Sequence, residues 1–241
     1  MIFVILIFVP ILIFLFYIVF PWIMKAYIRT RFLSIIRNSG CICLTFDDGP
    51  CPESTPEILE LLQEAGAKAT FFLLGENVNK YSSLAAMIVA SGHEVGEHSY
   101  SHSHPWKTGP VRSIVDLVKG GRTIRKNGLS NNSPIFRPPY GKLNLISLLY
   151  ICLCKKQVAF WDIDPKDYRE HSGERVAKSI IGCLYPGSVV LLHEGRRNSN
   201  KPPQVTVDAV KQLFGMANDG HIFTTISEAI SRSSAKRNVR L

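Results

Sequence analysis

No charged side chain occurs in the first 24 residues, MIFVILIFVPILIFLFYIVFPWIM. So long and uniform an apolar run lacks the polar face of a solvated amphipathic helix. At roughly 1.5 Å per residue it makes about 36 Å of helix, enough to cross a bilayer core of about 30 Å. Neither a basic stretch before the run nor a small-residue cleavage site after it is present, which argues against a cleaved secretory signal. Residues 1–24 are therefore expected to form a single-pass membrane anchor. The strand that opens the polar part of the chain, near residue 41, is followed by neither GxGxxG nor GxxxxGKS, so a nucleotide site has no support. The six cysteines, at 41, 43, 51, 152, 154 and 183, show no CxxC spacing. Cysteines scattered through apolar segments act as small hydrophobes and agree with a reducing compartment. There is no internal repeat.

Acidic residues are missing from both flanks of the polar region. Lys25, Arg29, Arg31 and Arg37 follow the apolar run, and Arg232, Lys236, Arg237 and Arg240 end the chain. Those eight account for nearly all of the formal charge of +9 and leave 20 basic and 19 acidic residues between them. A near-neutral centre argues against nucleic acid as a partner, because a binding domain would carry its own basic stripe. Basic flanks beside an anchor suit anionic lipid head groups. The positive-inside bias places the polar domain in the cytoplasm, with an outward-facing domain as the alternative. Residues 25–39 read as a basic juxtamembrane linker, 40–230 as one folded domain, and 231–241 as a basic disordered tail.

Within 40–230, short apolar runs alternate with amphipathic ones. Strands are expected at 41–46, 69–74, 93–97, 134–137, 157–162, 188–193 and 221–225. Helices are expected at 55–65, 82–91, 111–127, 142–154, 173–184, 204–218 and 227–232. This alternation predicts an α/β fold with a mostly parallel sheet, and seven units of this length suggest a distorted (β/α)7 barrel. Catalytic groups of such barrels gather at the C-terminal ends of the strands.

Those ends carry the unusual residues. The first reads TFDDGP, with adjacent carboxylates Asp47 and Asp48 that need partners. The third leads into EHSYSH, and the four-residue spacing of His98 and His102 suggests one face of a helical turn, near enough to share a metal. His93 and His104 are nearby, so the spacing alone does not choose the binding pair. The fourth gives RPPYG, with Arg137 ahead of two prolines. The fifth gives WDIDPKDY, three carboxylates in six residues, and the sixth gives LLHEG, ending at His193. Each has an ordinary structural explanation: a turn cap, a surface ion pair, a core histidine or a solvated acidic loop.

Together, TFDDGP, HSYSH, RPPYG, DIDPKDY and LLHEG resemble the five motifs of the polysaccharide deacetylase family, also called the NodB homology domain or carbohydrate esterase family 4. The likeness runs from about 41 to 230. It implies a distorted barrel, one divalent metal, usually Zn2+, and hydrolysis of the N-acetyl group of an amino sugar. Beside it, Asp48, His98 and His102 read as the metal ligands, since two imidazoles and a carboxylate leave open positions for a reaction. Asp47 is then the base, oriented by Arg137, and His193 the acid. The resemblance assigns the tuning of His193 to Asp167, with Asp162 and Asp164 as competitors. The backbone N–H of Tyr140 would stabilise the oxyanion, and Leu191 would line the pocket for the acetyl methyl. Trp106 stacks on a sugar ring or packs. Tyr168 stands where the family often has Trp. The expected substrate is an amino-sugar glycan of the cell envelope or its lipid-linked precursor, with an O-acetyl ester or formyl group as the alternative bond. A non-catalytic carbohydrate-binding membrane protein would have lost a ligand, base or acid, and none is lost.

Overall fold

The computed structural model describes residues 2–129, 135–195, 203–217 and 220–238. Six parallel strands make one sheet: β1 (Cys43–Asp47), β2 (Ala69–Leu73), β3 (Glu94–Glu97), β4 (Ile135–Phe136), β5 (Gln157–Val158) and β6 (Val189–His193), in the order β5-β4-β3-β2-β1-β6. Beyond β5 the chain reaches a parallel bridge between Ile163 and Val190, which ties it to the free side of β6 and closes the curved sheet. Every residue of β1 and β2 is buried, as expected where helices cover both faces of a parallel sheet. The covering helices are α3 (Thr55–Glu64), α4 (Gly75–Lys80), α5 (Ser82–Ala90), α6 (Pro110–Lys126), α7 (Leu145–Leu153), α8 (Gly173–Ile181) and α9 (Gln204–Met216). Apart from the short α4, each matches an expected helix within a few residues. Residue 134 of the expected fourth strand and residue 218 of the expected sixth helix lie outside the described residues.

The seventh expected strand is reduced to an isolated bridge between Phe223 and Ile42. The chain turns away at once because Thr224 and Thr225 begin a helix: Thr224 donates to Glu228, and the Glu228 N–H donates to Thr225 Oγ1 at 3.2 Å. That helix, α10 (Ile226–Asn238), occupies most of the segment expected to be a disordered tail. Its Ser233 is buried, and Lys236 Nζ donates to the Ser39 carbonyl at 2.7 Å. Residues 239–241 lie outside the described residues.

The expected linker 25–39 is also helical. An apolar helix α1 (Ile2–Phe14) passes through a π-helical turn, Leu15–Val19, into α2 (Phe20–Ser39). Pro21 has no N–H to donate, and the helix widens one turn ahead of it, with Phe20 N–H donating to Leu15 five residues back. Phe32, Leu33 and Ile36 of α2 are buried in a core cluster with Phe160, Ile226 and Ala229. Gly40, at φ 74°, ends the helix and releases the chain into β1. One uninterrupted helix thus carries both the exposed apolar segment and part of the domain core.

Candidate active site

β1 ends at Asp47, and Asp48 turns back at φ 70°, a conformation Asp adopts more readily than most residues. This reversal lets two adjacent carboxylates face one cavity. Asp47 Oδ1 accepts a hydrogen bond from Arg137 Nη1 at 2.7 Å, and Oδ2 lies 3.6 Å from His98 Nε2. Asp48 Oδ1 lies 3.6 Å from His98 Nε2 and 3.5 Å from His102 Nε2.

The two histidines are not on a helical turn. They follow β3 in a loop where Ser99 (φ 65°) and His102 (φ 53°) are left-handed, and the His102 N–H donates to Ser99 Oγ at 3.0 Å. The loop rests on α6. Asp116 accepts from the Ser101 N–H at 2.9 Å and from Ser101 Oγ at 2.6 Å, and Gly120 lies so close that a Cβ there would fall 2.4 Å from the Ser99 carbonyl carbon. The ring centroids of His98 and His102 come within 4.9 Å. His98 Nδ1 sits 2.8 Å from the Arg137 carbonyl oxygen, which can only accept, so the proton is on Nδ1 and the lone pair of Nε2 faces the carboxylates. Burial, and then the charge of His102, push the His98 pKa down to about 3, so the ring is neutral near pH 7.

Arg137 is fully buried at the end of β4, with Nη1 also donating to Thr45 Oγ1 at 2.8 Å and the guanidinium 4.1 Å from the Phe72 ring centroid. Burial lowers its pKa and the Asp47 carboxylate opposes that shift. The PYG turn that follows holds Tyr140 at φ 58°, its ring 4.4 Å from His102 and 4.7 Å from His104.

Across the cavity, His193 stands in register with Asp47 on the neighbouring strand. Its Nδ1 is 2.8 Å from Asp167 Oδ1, while Asp167 Oδ2 accepts from the His193 N–H at 2.7 Å and from Thr206 Oγ1 at 2.8 Å. Burial works against the imidazolium, but the Asp167 charge and hydrogen bond, with Asp48 and Asp47 adding, outweigh it and raise the His193 pKa to about 9. Of the three carboxylates in DIDPKDY, Asp167 reaches the histidine. Asp162 instead accepts from the Val189 N–H at 2.7 Å, fastening the barrel seam, and Asp164 accepts from the Lys166 N–H at 3.1 Å.

Asp47, Asp48, His98, His102 and His193 line a cavity of about 600 Å3, together with Tyr140, Gly141, Lys142, Trp161, Asp164, Tyr168, Arg169, Leu191 and Gly195, while Arg137 and Asp167 stand buried behind them. Trp106 is not among its lining residues: the indole N–H donates to the Leu143 carbonyl at 2.9 Å and Lys142 lies over the ring, which stays partly exposed. Sequence reading missed Trp161, Lys142 and Glu194. Trp161 follows a strand two residues long, and only the fold brings it round to the cavity. Glu194 is fully buried against Gly49, where a Cβ would collide with its carboxyl at 1.6 Å. Burial, reinforced by Asp48 and Asp47 against the opposing Thr55 bond, pushes its pKa up to about 8.

One carboxylate and two imidazoles whose ligand atoms all lie within 4.8 Å of one another match the donor chemistry of a zinc-type divalent cation. Asp48 Oδ1 supports that fit, since it is buried and has no hydrogen-bond partner among the described residues.

A parallel barrel with a carboxylate–arginine pair and a carboxylate–histidine pair facing an Asp/His/His cluster defines a hydrolase-like site. The family described as polysaccharide deacetylase matches residues 36–152. A peptidoglycan-N-acetylglucosamine deacetylase of Bacillus cereus is 32% identical over 202 residues, spanning 83% of this chain and 72% of that one. A chitooligosaccharide deacetylase of Bradyrhizobium is 32% identical over 160 residues, 66% of this chain and 73% of that one. The solved structure of the peptidoglycan deacetylase PdaC from Bacillus subtilis superposes with a TM-score of 0.73 at 28% identity, covering 85% of this chain and 96% of that chain. The chain belongs to the polysaccharide deacetylase family and is an enzyme of the carbohydrate deacetylase class.

Proposed function

We propose that the cavity hydrolyses the N-acetyl group of an amino sugar in a cell-envelope glycan or its lipid-linked precursor. The observation that carries this reading is the pairing of Asp47 and His193 at one level on adjacent strand ends, each held by its own buried ion-pair partner. Arg137 occupies Asp47 Oδ1, so Oδ2 is the oxygen that takes a proton from the attacking water. With its pKa raised to about 9, His193 is protonated at neutral pH and gives its Nε2 proton to the departing amine as the C–N bond breaks. Asp167 holds the ring and its Nδ1 proton. Leu191 faces the acetyl methyl, and the Tyr140 N–H stabilises the oxyanion. Asp48, His98 and His102 would hold a divalent cation, with Zn2+ the best match for this donor set, which supplies Lewis-acid polarisation of the acetyl carbonyl.

The helix Phe8–Ser39 is long and apolar enough to cross a membrane, with a mean hydropathy of 2.1 in its most apolar window. Its basic residues follow the apolar part, which supports a single-pass anchor with the domain in the cytoplasm. The function is tested by acetate release from N-acetylated amino-sugar substrates. Asp47→Asn is expected to lower turnover by about 10^2–10^4 in a chain that still folds cooperatively, with a lower melt because the buried Arg137 loses its countercharge. Wild-type turnover by that variant would contradict the assignment.

A further inference from the structure

The cavity and the apolar helix meet. Arg29 Nη2 donates to the carbonyl of Trp161, a cavity-lining residue, at 2.9 Å, and Lys25 Nζ lies 5.9 Å from the Phe160 ring centroid. Lys25 is within electrostatic range of both Arg29 and Lys142, and Lys142 lines the cavity beside the Asp/His/His cluster. At its other end, α2 places Arg37 against Tyr185 and Gly187, which lead into β6. The helix therefore runs antiparallel to the strands, and its apolar part leaves the domain at the catalytic end of the barrel. The domain follows it outward: Asn144 Nδ2, just past the PYG turn, donates to Tyr17 Oη at 3.2 Å. Tyr17 lies eight residues inside the apolar run from Lys25, about 12 Å along the helix axis. At this level the helix presents exposed Phe20, Trp22 and Ile23, and α6 presents Val111 at 74% exposure. A bilayer around the apolar helix would put the cavity rim among the head groups, with three cations at that rim.

Building on the deacetylase reading, we propose that the substrate is an N-acetylated amino sugar joined through phosphate to a membrane lipid, with the phosphate held by Lys25, Arg29 and Lys142. The sugar enters from the bilayer side. Water replaces nitrogen on the acetyl carbon, acetate and an amine leave, and the phosphate ester stays intact. Phosphate is the anion that sits at head-group depth in such lipids, and clustered Lys and Arg donors suit it. A long glycan strand would instead have to approach past the anchor.

The test uses the full chain in neutral detergent micelles. Acetate release is compared between a polyprenyl-phosphate-linked N-acetylamino sugar and a soluble N-acetylchitooligosaccharide, for wild type and for Lys25→Gln/Arg29→Gln. The expected result is a wild-type preference in kcat/KM for the phosphate-linked lipid that falls at least tenfold in the variant, mainly through KM. Binding of dodecyl phosphate to metal-free protein, read from tryptophan fluorescence, should weaken at least tenfold in the same variant and exceed binding of inorganic phosphate. Equal kcat/KM for the two substrates, or inorganic phosphate binding as tightly as dodecyl phosphate, would overturn the lipid-phosphate proposal while leaving deacetylation in place. No acetate from either substrate would overturn both.

Discussion

His98 and His193 carry the same ring into opposite ionisation states. Burial beside His102 keeps the first neutral, and Asp167 keeps the second charged up to about pH 9. If His193 is the proton donor, turnover falls as pH rises through its pKa. Asp167→Asn removes the main raising charge, so the alkaline limb should move from about 9 toward the ordinary histidine value of about 6.5, and a pH profile of kcat reads the shift. A limb that stays near 9 would place the donor elsewhere. Stability follows the same sign: the folded state binds this proton more tightly than the unfolded chain, so the pair's stabilisation is complete below about 6.5 and is lost as pH rises through about 9. Arg137 makes a different case, because removing it strands Asp47. Arg137→Ala should cost about 3–5 kcal/mol, the usual penalty for leaving half of a buried ion pair, and chemical denaturation measures it. A loss below about 1 kcal/mol would mean that Asp47 finds water or another donor.

At the scale of elements, the loop that carries His98 and His102 shows why the site was readable only in part. The residue types were plain as a set, because five strand ends carry carboxylates, histidines or an arginine, although each alone has an ordinary structural use. Their geometry was not, since the four-residue spacing of His98 and His102 suits a helical turn as well as the left-handed loop that forms. The deciding contact is remote: Gly120 in the middle of α6 lets Ser99 approach, and Asp116 ties down Ser101. No local signal links α6 to that loop. Gly120→Ala tests the link against helix propensity. In an open helix Ala would gain about 1 kcal/mol over Gly, but here its Cβ would lie 2.4 Å from backbone. Overpacking of this kind costs about 1–3 kcal/mol and should displace His98 and His102. The expected result is a lower melt and weaker zinc binding by titration; a melt at or above wild type would show that the loop yields freely.

Across the whole molecule, the boundary between the apolar helix and the domain is where composition misled. Residues 25–39 carry four basic side chains and no acidic one, which hides that Phe32, Leu33 and Ile36 share a buried face. The polar sequence of α10 likewise gave little sign that it packs on α2. Each of those three α2 side chains is worth about 1.5–3 kcal/mol on burial, so removing all of them costs about 5–9 kcal/mol, comparable with the 5–15 kcal/mol that holds a typical domain together. A chain beginning at Lys25 should therefore stay folded without the apolar segment, with a cooperative melt and a monomeric profile on gel filtration. A chain beginning at Gly40 should lose the cooperative melt and aggregate, since the face left by α2 exposes Ile226, Ala229 and Phe160. If the two chains melt alike, α2 is a passive tether, and the cavity rim would owe nothing to its position.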